Sequence, residues 1–263
     1  MTRRTLPLRD GMFDVEVGEL GDGPPLVYLH GIWDAGDDSF VAELAATFTV
    51  IRPYLPGFGA STVDERLHDV HDAIYYLLDV LDAIGVADAP LVGHCLGGMF
   101  AAELAAVQPR RFAKLVLIAP FGLWNAACPT LDFFAAAPDQ LAAALYGEHG
   151  EPTAESVPAS PEDRVQQAVA KAKAREVAAR FLWPLPNHGL AKRAHRISMP
   201  TLIVWGSEDG ICPPEYGADF QRLIAGAQLE MVTGAGHLPH CQQREQVATR
   251  ILGFLNATLP SVR

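Results

Sequence analysis

Apolar runs of strand length alternate along this chain with segments of helical period, and few architectures accept that order. The runs are "MFDVEV" near the start, "LVYLH" at 26–30, "FTVIR" at 48–52, "APLVGH" at 89–94, "AKLVLIAP" at 113–120, "PTLIVWG" at 200–206 and "QLEMVTG" at 228–234. Between them, "LHDVHDAIYYLLDVLDAIG" has apolar positions at helical spacing and a terminal glycine, Gly85. "GGMFAAELAAVQP" is a helix closed by Pro109, another helix lies near "PEYGADFQRLIAG", and "QQREQVATRILGFLNATL" closes the chain as an amphipathic helix. Strands joined by helical crossovers make a mostly parallel sheet, and near-continuous apolar strands place helices on both of its faces. The alternation fails from Phe121 to Arg196, where alanine-rich helical stretches are divided by "CPT", "APDQ", "EPTAESVPASPED" and "WPLPNHG". A structureless loop of that length is improbable, so the expectation is an α/β core formed by 1–120 and 197–263, with 121–196 inserted as a helical lid.

Composition removes several classes of function. The 263 residues are 49% hydrophobic and 19% charged, enough to bury a full core and far from a disordered profile. The formal net charge of −11 repels phosphate backbones, and no stretch concentrates lysine and arginine against it, so nucleic acid is not an expected partner. No apolar run approaches the length of a membrane span. The start, "MTRRTLPLRDG", has two arginines but no apolar stretch after them, so no export signal is expected and the assigned compartment is the cytoplasm. Cys95, Cys128, Cys212 and Cys241 form no C-x-x-C pair and no zinc-like spacing; they are expected to be free thiols, with no metal.

Cys95 stands apart because of its setting. "VGHCLGG" is strand, sharp turn and helix, with a nucleophile-capable side chain between Gly93 and Gly97, where larger residues would clash with the adjoining strand and helix. The sulfur then projects beside a helix N-terminus, which stabilises a thiolate or an oxyanion. "WGSEDG" puts Asp209 just after one strand and "GAGHLPH" puts His237 in the loop after the next, giving the order nucleophile, acid, histidine. Upstream, His30-Gly31 ends a strand, and the next backbone N–H, that of Ile32, can converge with that of Leu96 as an oxyanion hole.

Taken together, "LHG", "PGFGAS", "GHCLGG", "WGSEDG" and "GAGH" resemble the α/β-hydrolase superfamily, along almost the whole chain. The resemblance implies that fold with an inserted lid, a triad of Cys95, Asp209 and His237, and no cofactor. Most relatives have serine at the nucleophile position, so the thiol is a departure. Haloalkane dehalogenases and epoxide hydrolases are disfavoured, since both use aspartate there. Two origins of the sulfur remain open: a native cysteine to which the pocket is adjusted, or a serine-to-cysteine replacement that traps or disables the site. Among other residues, Glu208 is expected to be solvated, His94 to pack away behind the elbow, His240 to lie near the surface, and His188 and His195 to be solvated or structural. Trp124, Phe133, Phe134, Tyr146, Phe181 and Trp183 line either an apolar pocket or the lid's own core.

The function expected on these grounds is hydrolysis of a carboxylic ester, thioester or lactone with a mid-sized apolar part, through a Cys95 acyl-enzyme. The alternatives are carbon–carbon bond hydrolysis of a ring-cleavage product and ligand binding without turnover. Oligomeric state is not legible.

Overall fold

The computed structural model describes residues 1–147, 160–185 and 187–257. Its centre is one eight-stranded sheet in the order β1-β2-β4-β3-β5-β6-β7-β8. The strands are β1 (Thr2–Leu8), β2 (Phe13–Leu20), β3 (Pro25–Leu29), β4 (Thr49–Pro53), β5 (Ala89–His94), β6 (Phe112–Ile118), β7 (Thr201–Gly206) and β8 (Gln228–Val232). From β4 to β8 every neighbouring pair is parallel, whereas β2 pairs antiparallel with both β1 and β4. β1 is an addition to the sequence reading, which opens at "MFDVEV". Only its last residue is buried, and its arginines pair with β2, Arg4 with Glu19 at 2.8 Å and Arg3 with Glu16 at 3.1 Å. A charged edge of this kind discourages pairing with other chains.

Side chains alternate across the inner strands, so each strand feeds two cores. Leu26 and Tyr28 of β3 face a cluster closed by α1 (Ser39–Ala45) and α8 (Arg244–Asn256), while Val27 and Leu29 face the larger cluster under α2 (Val70–Ile84) and α3 (Cys95–Val107). The expected two-faced cover is thus present. α2 starts in a capping box between Asp69 and Asp72 and ends at Gly85, whose φ of +77° is the left-handed stop that the sequence signals. α3 is buried from Cys95 through Ala106, which explains a helix apolar on every side except at Glu103.

Between β6 and β7 the described residues contain no strand. They form α4 (Pro138–Tyr146), α5 (Pro161–Leu182) and two single 3₁₀ turns at Leu190–Lys192 and Ala194–Arg196. Residues 148–159, 186 and 258–263 lie outside the described residues, and with them most of the predicted breaker "EPTAESVPASPED" and the last two positions of the predicted closing helix. This segment is tied to the strand ends at several points. Arg193 forks onto the buried carboxylate of Glu103 in α3 at 2.7 and 2.5 Å, the amide of Gly210 donates to Ala144 O, and that of His237 donates to Leu145 O. α6 (Glu215–Leu223) covers β7 and β8, and the four-residue α7 (Pro239–Gln242) leads into α8. Among the described residues no helix is long and apolar enough to cross a membrane.

Candidate active site

β5 passes into α3 without an intervening residue, and the turn falls on Cys95, whose φ is +55°. A non-glycine residue held in the left-handed region is strained, and here the neighbouring backbones enforce it. A Cβ on Gly97 would lie 2.3 Å from Leu29 O and 2.4 Å from His30 O, so α3 touches the end of β3 backbone to backbone. Gly93 is closed off in the same way by Gly97 O at 2.6 Å. The chain can only reverse at Cys95, and its side chain is driven out at the N-terminus of α3.

Asp209 follows β7 and His237 follows β8, so parallel strands deliver both to the same end of the sheet. Asp209 Oδ2 accepts from His237 Nδ1 at 2.8 Å with both side chains fully buried. The other oxygen, Oδ1, accepts the amides of Ile211 and Cys212 at 2.9 Å, which fixes the carboxylate's plane. Asp209 is therefore both the turn cap and the histidine's partner. A proton on Nδ1 leaves Nε2 as the basic nitrogen, and that atom has no hydrogen-bond partner. The ring stands beside the elbow: its centroid is 5.4 Å from that of His94, the residue before Cys95, and 5.7 Å from that of Phe121, whose amide donates to Cys95 O.

The sulfur faces the backbone amides of Ile32 and Leu96. These are the two donors assigned from sequence to an oxyanion hole, and both favour the thiolate. Burial dominates, and with the charges of Asp34 and Asp209 it pushes the Cys95 thiol well above its ordinary value. His30 shapes the Ile32 loop: its Nδ1 donates to Gly31 O at 2.7 Å and its Nε2 accepts the amide of Leu55 at 3.0 Å. Gly31 has no room for a side chain, since a Cβ would lie 2.5 Å from His94 Nδ1 and 2.8 Å from Cys95 Cβ.

Aromatic rings close the site. Trp33 and Phe121 pack against His237, and Phe133 from the segment after β6 packs against both. Of the aromatics singled out from sequence, Phe133 reaches this cover and Phe134 stacks on it at 4.1 Å; Phe181 packs on Phe100 under α5, and Trp124 and Trp183 are exposed. Trp33 and Phe121 were not anticipated, although Trp33 directly follows Ile32. Glu208 and His188 are half-buried, the latter with its ring 3.4 Å from Leu182 O, and His195 is exposed.

His240 corrects the sequence reading. It is fully buried rather than near the surface, because α7 folds the chain after His237 back beneath the elbow, where Phe40 meets its ring edge-on at 5.0 Å. There it joins a cluster that local spacing does not reveal. Asp34 Oδ2 accepts from Tyr28 OH at 2.5 Å and lies 3.2 Å from His240 Nε2; Oδ1 accepts the amide of Gly31 at 2.5 Å and lies 3.1 Å from His94 Nδ1. Asp34, His94 and His240 offer the donor types of a transition-metal site, with ligand atoms within 4.8 Å of one another. Both carboxylate oxygens, however, already accept N–H or O–H groups of the protein.

Burial also makes the histidines of this cluster and of the Ile32 loop beside it sensitive to acid. It pushes His30 and His240 down to about 4 from an ordinary 6.5, so the folded rings refuse protons that the unfolded rings accept. Stability present above pH 6.5 is therefore lost as pH falls toward 4, by up to about 3 kcal/mol per ring. For Asp34, burial pushes the carboxyl up, but the facing His94 and His240 outweigh it and hold it well below its ordinary value, so its own contribution is lost only at lower pH. A urea midpoint that falls steadily between pH 7 and 5 is the expected result; a flat midpoint contradicts it.

Comparison with known proteins agrees with this fold. The sequence pattern of the alpha/beta hydrolase family matches residues 26–250. The chain is 30% identical over 250 residues to the dihydrolipoyllysine-residue acetyltransferase component of an acetoin cleaving system from Pseudomonas putida, covering 91% of this chain and 65% of that protein, so it spans just under two thirds of that relative. It is 25% identical to a 2-hydroxy-6-oxononadienedioate/2-hydroxy-6-oxononatrienedioate hydrolase from Comamonas testosteroni, covering 92% of this chain and 91% of that one. The crystal structure of a bacterial membrane phospholipase A superposes with a TM-score of 0.81 at 22% identity, over 97% of this chain and 87% of that one, a likeness of fold.

Proposed function

The chain belongs to the alpha/beta hydrolase family, and we propose that within it the protein is a cofactor-independent hydrolase of small carboxylic esters, thioesters or lactones with an apolar part, acting through Cys95. The observation that carries this reading is the buried His237–Asp209 hydrogen bond of 2.8 Å, which leaves His237 Nε2 unpartnered beside the elbow. In the proposed cycle Nε2 takes the thiol proton as Sγ attacks the substrate carbonyl carbon, and the C=O electron pair moves onto oxygen. The amides of Ile32 and Leu96, which face the sulfur in the resting site, pass to that oxyanion. Collapse breaks the bond to the leaving group, which takes the proton from His237, and leaves a thioester on Cys95. Water deprotonated by His237 then attacks the thioester; the C–S bond breaks and the proton returns to sulfur. Trp33, Phe121 and Phe133 supply an apolar wall for the acyl part, and the segment 121–196 serves as the lid that excludes bulk water.

Similarity over nearly the full length to a hydrolase of an oxo-dienoate supports one second reading, in which the same site cleaves a carbon–carbon bond. Nitrophenyl esters of graded acyl length test the first: release of nitrophenol, with an acyl mass added to the quenched protein, is the expected result. Absence of both at every chain length overturns it, and rapid bleaching of a chromophoric oxo-dienoate in that event establishes the second.

A further inference from the structure

We propose that Asp34 is a positioning residue for this site, a single buried carboxylate that holds the oxyanion loop, the nucleophile elbow and the histidine loop in register. The proposal rests on the hydrolytic reading of Cys95 and His237 given above. Asp34 touches none of the reacting groups; it touches what carries them. Gly31, whose amide donates to Oδ1, is followed by Ile32. His94, whose Nδ1 lies 3.1 Å from the same oxygen in contact but not in a hydrogen bond, is followed by Cys95. His240, 3.2 Å from Oδ2, lies at the start of α7, in the loop that carries His237. The path also closes on itself, since His94 Nε2 donates to the backbone carbonyl of His237 at 3.0 Å.

A carboxylate suits this post because it alone among side chains offers about four acceptor positions and no competing donor. Here they take Gly31 N–H and Tyr28 O–H, with two imidazoles at contact distance. An asparagine keeps one acceptor oxygen, and an alanine keeps none. Slack is small: a Cβ on Gly31 would lie 2.8 Å from Asp34 Oδ1, so a shift of the carboxylate is passed directly to the loop bearing Ile32. Electrostatics would act in the opposite sense. The charge of Asp34 raises the Cys95 thiol, so neutralising it by itself eases ionisation of the nucleophile.

The test compares Asp34→Asn with Asp34→Ala, which carry equal charge and differ in the remaining oxygen. With a nitrophenyl ester, kcat is expected to fall about tenfold in the asparagine variant and on the order of 100-fold in the alanine variant, with KM changed by less than about threefold. Equal kcat in the two variants, or wild-type kcat in either, overturns the proposal. If the alanine variant loses its cooperative melt, the same comparison is made between His240→Gln, which still offers an N–H to the carboxylate, and His240→Leu, which does not. Retention in Gln with loss in Leu is expected, and equal values overturn the proposal. A wild-type protein inactive on every ester instead sinks the hydrolytic reading. The positioning role is then read from iodoacetamide labelling of Cys95, followed by mass mapping of the peptide that contains it, since Cys128 and Cys241 are also accessible thiols. Slower labelling in Asp34→Ala than in Asp34→Asn supports it, and equal or faster labelling refutes it.

Discussion

Asp209→Asn is expected to lower kcat about 10³- to 10⁴-fold while the protein stays folded. The two roles of Asp209 predict this split. Oδ1 caps the turn by accepting the amides of Ile211 and Cys212, and an asparagine oxygen can take over that cap. The atom then facing His237 Nδ1 is an NH₂ group, which donates where the carboxylate accepted. Nδ1 must become the acceptor, the ring proton moves to Nε2, and the nitrogen that should remove the thiol proton no longer has a lone pair to do so. Melting temperature and kcat therefore separate: the first moves little, the second collapses. A variant that keeps kcat within tenfold of wild type would remove His237 from the role of base, and one that unfolds would show the cap to be the larger of the two duties.

The parts of this protein that were legible in its sequence are those whose physics is local. The elbow is contiguous: an apolar strand, two glycines flanking Cys95 and an apolar helix define both its path and the reason for its glycines, which the approach of Leu29 O and His30 O to Gly97 makes concrete. Asp209 and His237 were legible because each follows a recognisable strand, and parallel strands gather their C-terminal ends on one side. β1 was not, since its polar residues lie on an edge where burial imposes no pattern, and its pairing is decided by β2. α1 is too short at Ser39–Ala45 for period to identify it. The Asp34 cluster escaped for another reason. Asp34, His94 and His240 lie on three separate segments, and only the β3–β5 pairing and the fold-back of α7 bring them to one point. His240 was misplaced because a polar residue a few positions after His237 looks like loop surface when the turn of α7 beneath it is unknown.

The sulfur itself yields the remaining prediction. Cys95→Ala is expected to abolish acyl-enzyme formation, whereas Cys95→Ser is expected to remain active within roughly 100-fold of wild type, the range that a misplacement of a fraction of an ångström in the oxyanion hole allows. A cysteine that works as a pre-ionised thiolate tolerates no such exchange, because a serine hydroxyl cannot be ionised in advance. This thiol has no such advantage: burial, reinforced by the charges of Asp34 and Asp209, outweighs the amides of Ile32 and Leu96 and drives it well above 9. At neutral pH sulfur and oxygen alike depend on His237 to remove a proton during attack. The sign of the change within that window then tells which atom the pocket is built around, a rise pointing to oxygen and a fall to sulfur. Alkylation gives an independent reading. A raised thiol is protonated throughout the neutral range, so the thiolate fraction, and with it iodoacetamide labelling of Cys95, climbs about tenfold per pH unit from 6 to 9 without levelling. A plateau below 9 would mean that His237 already holds the proton in the resting enzyme, and the serine variant would then be expected to lose its activity.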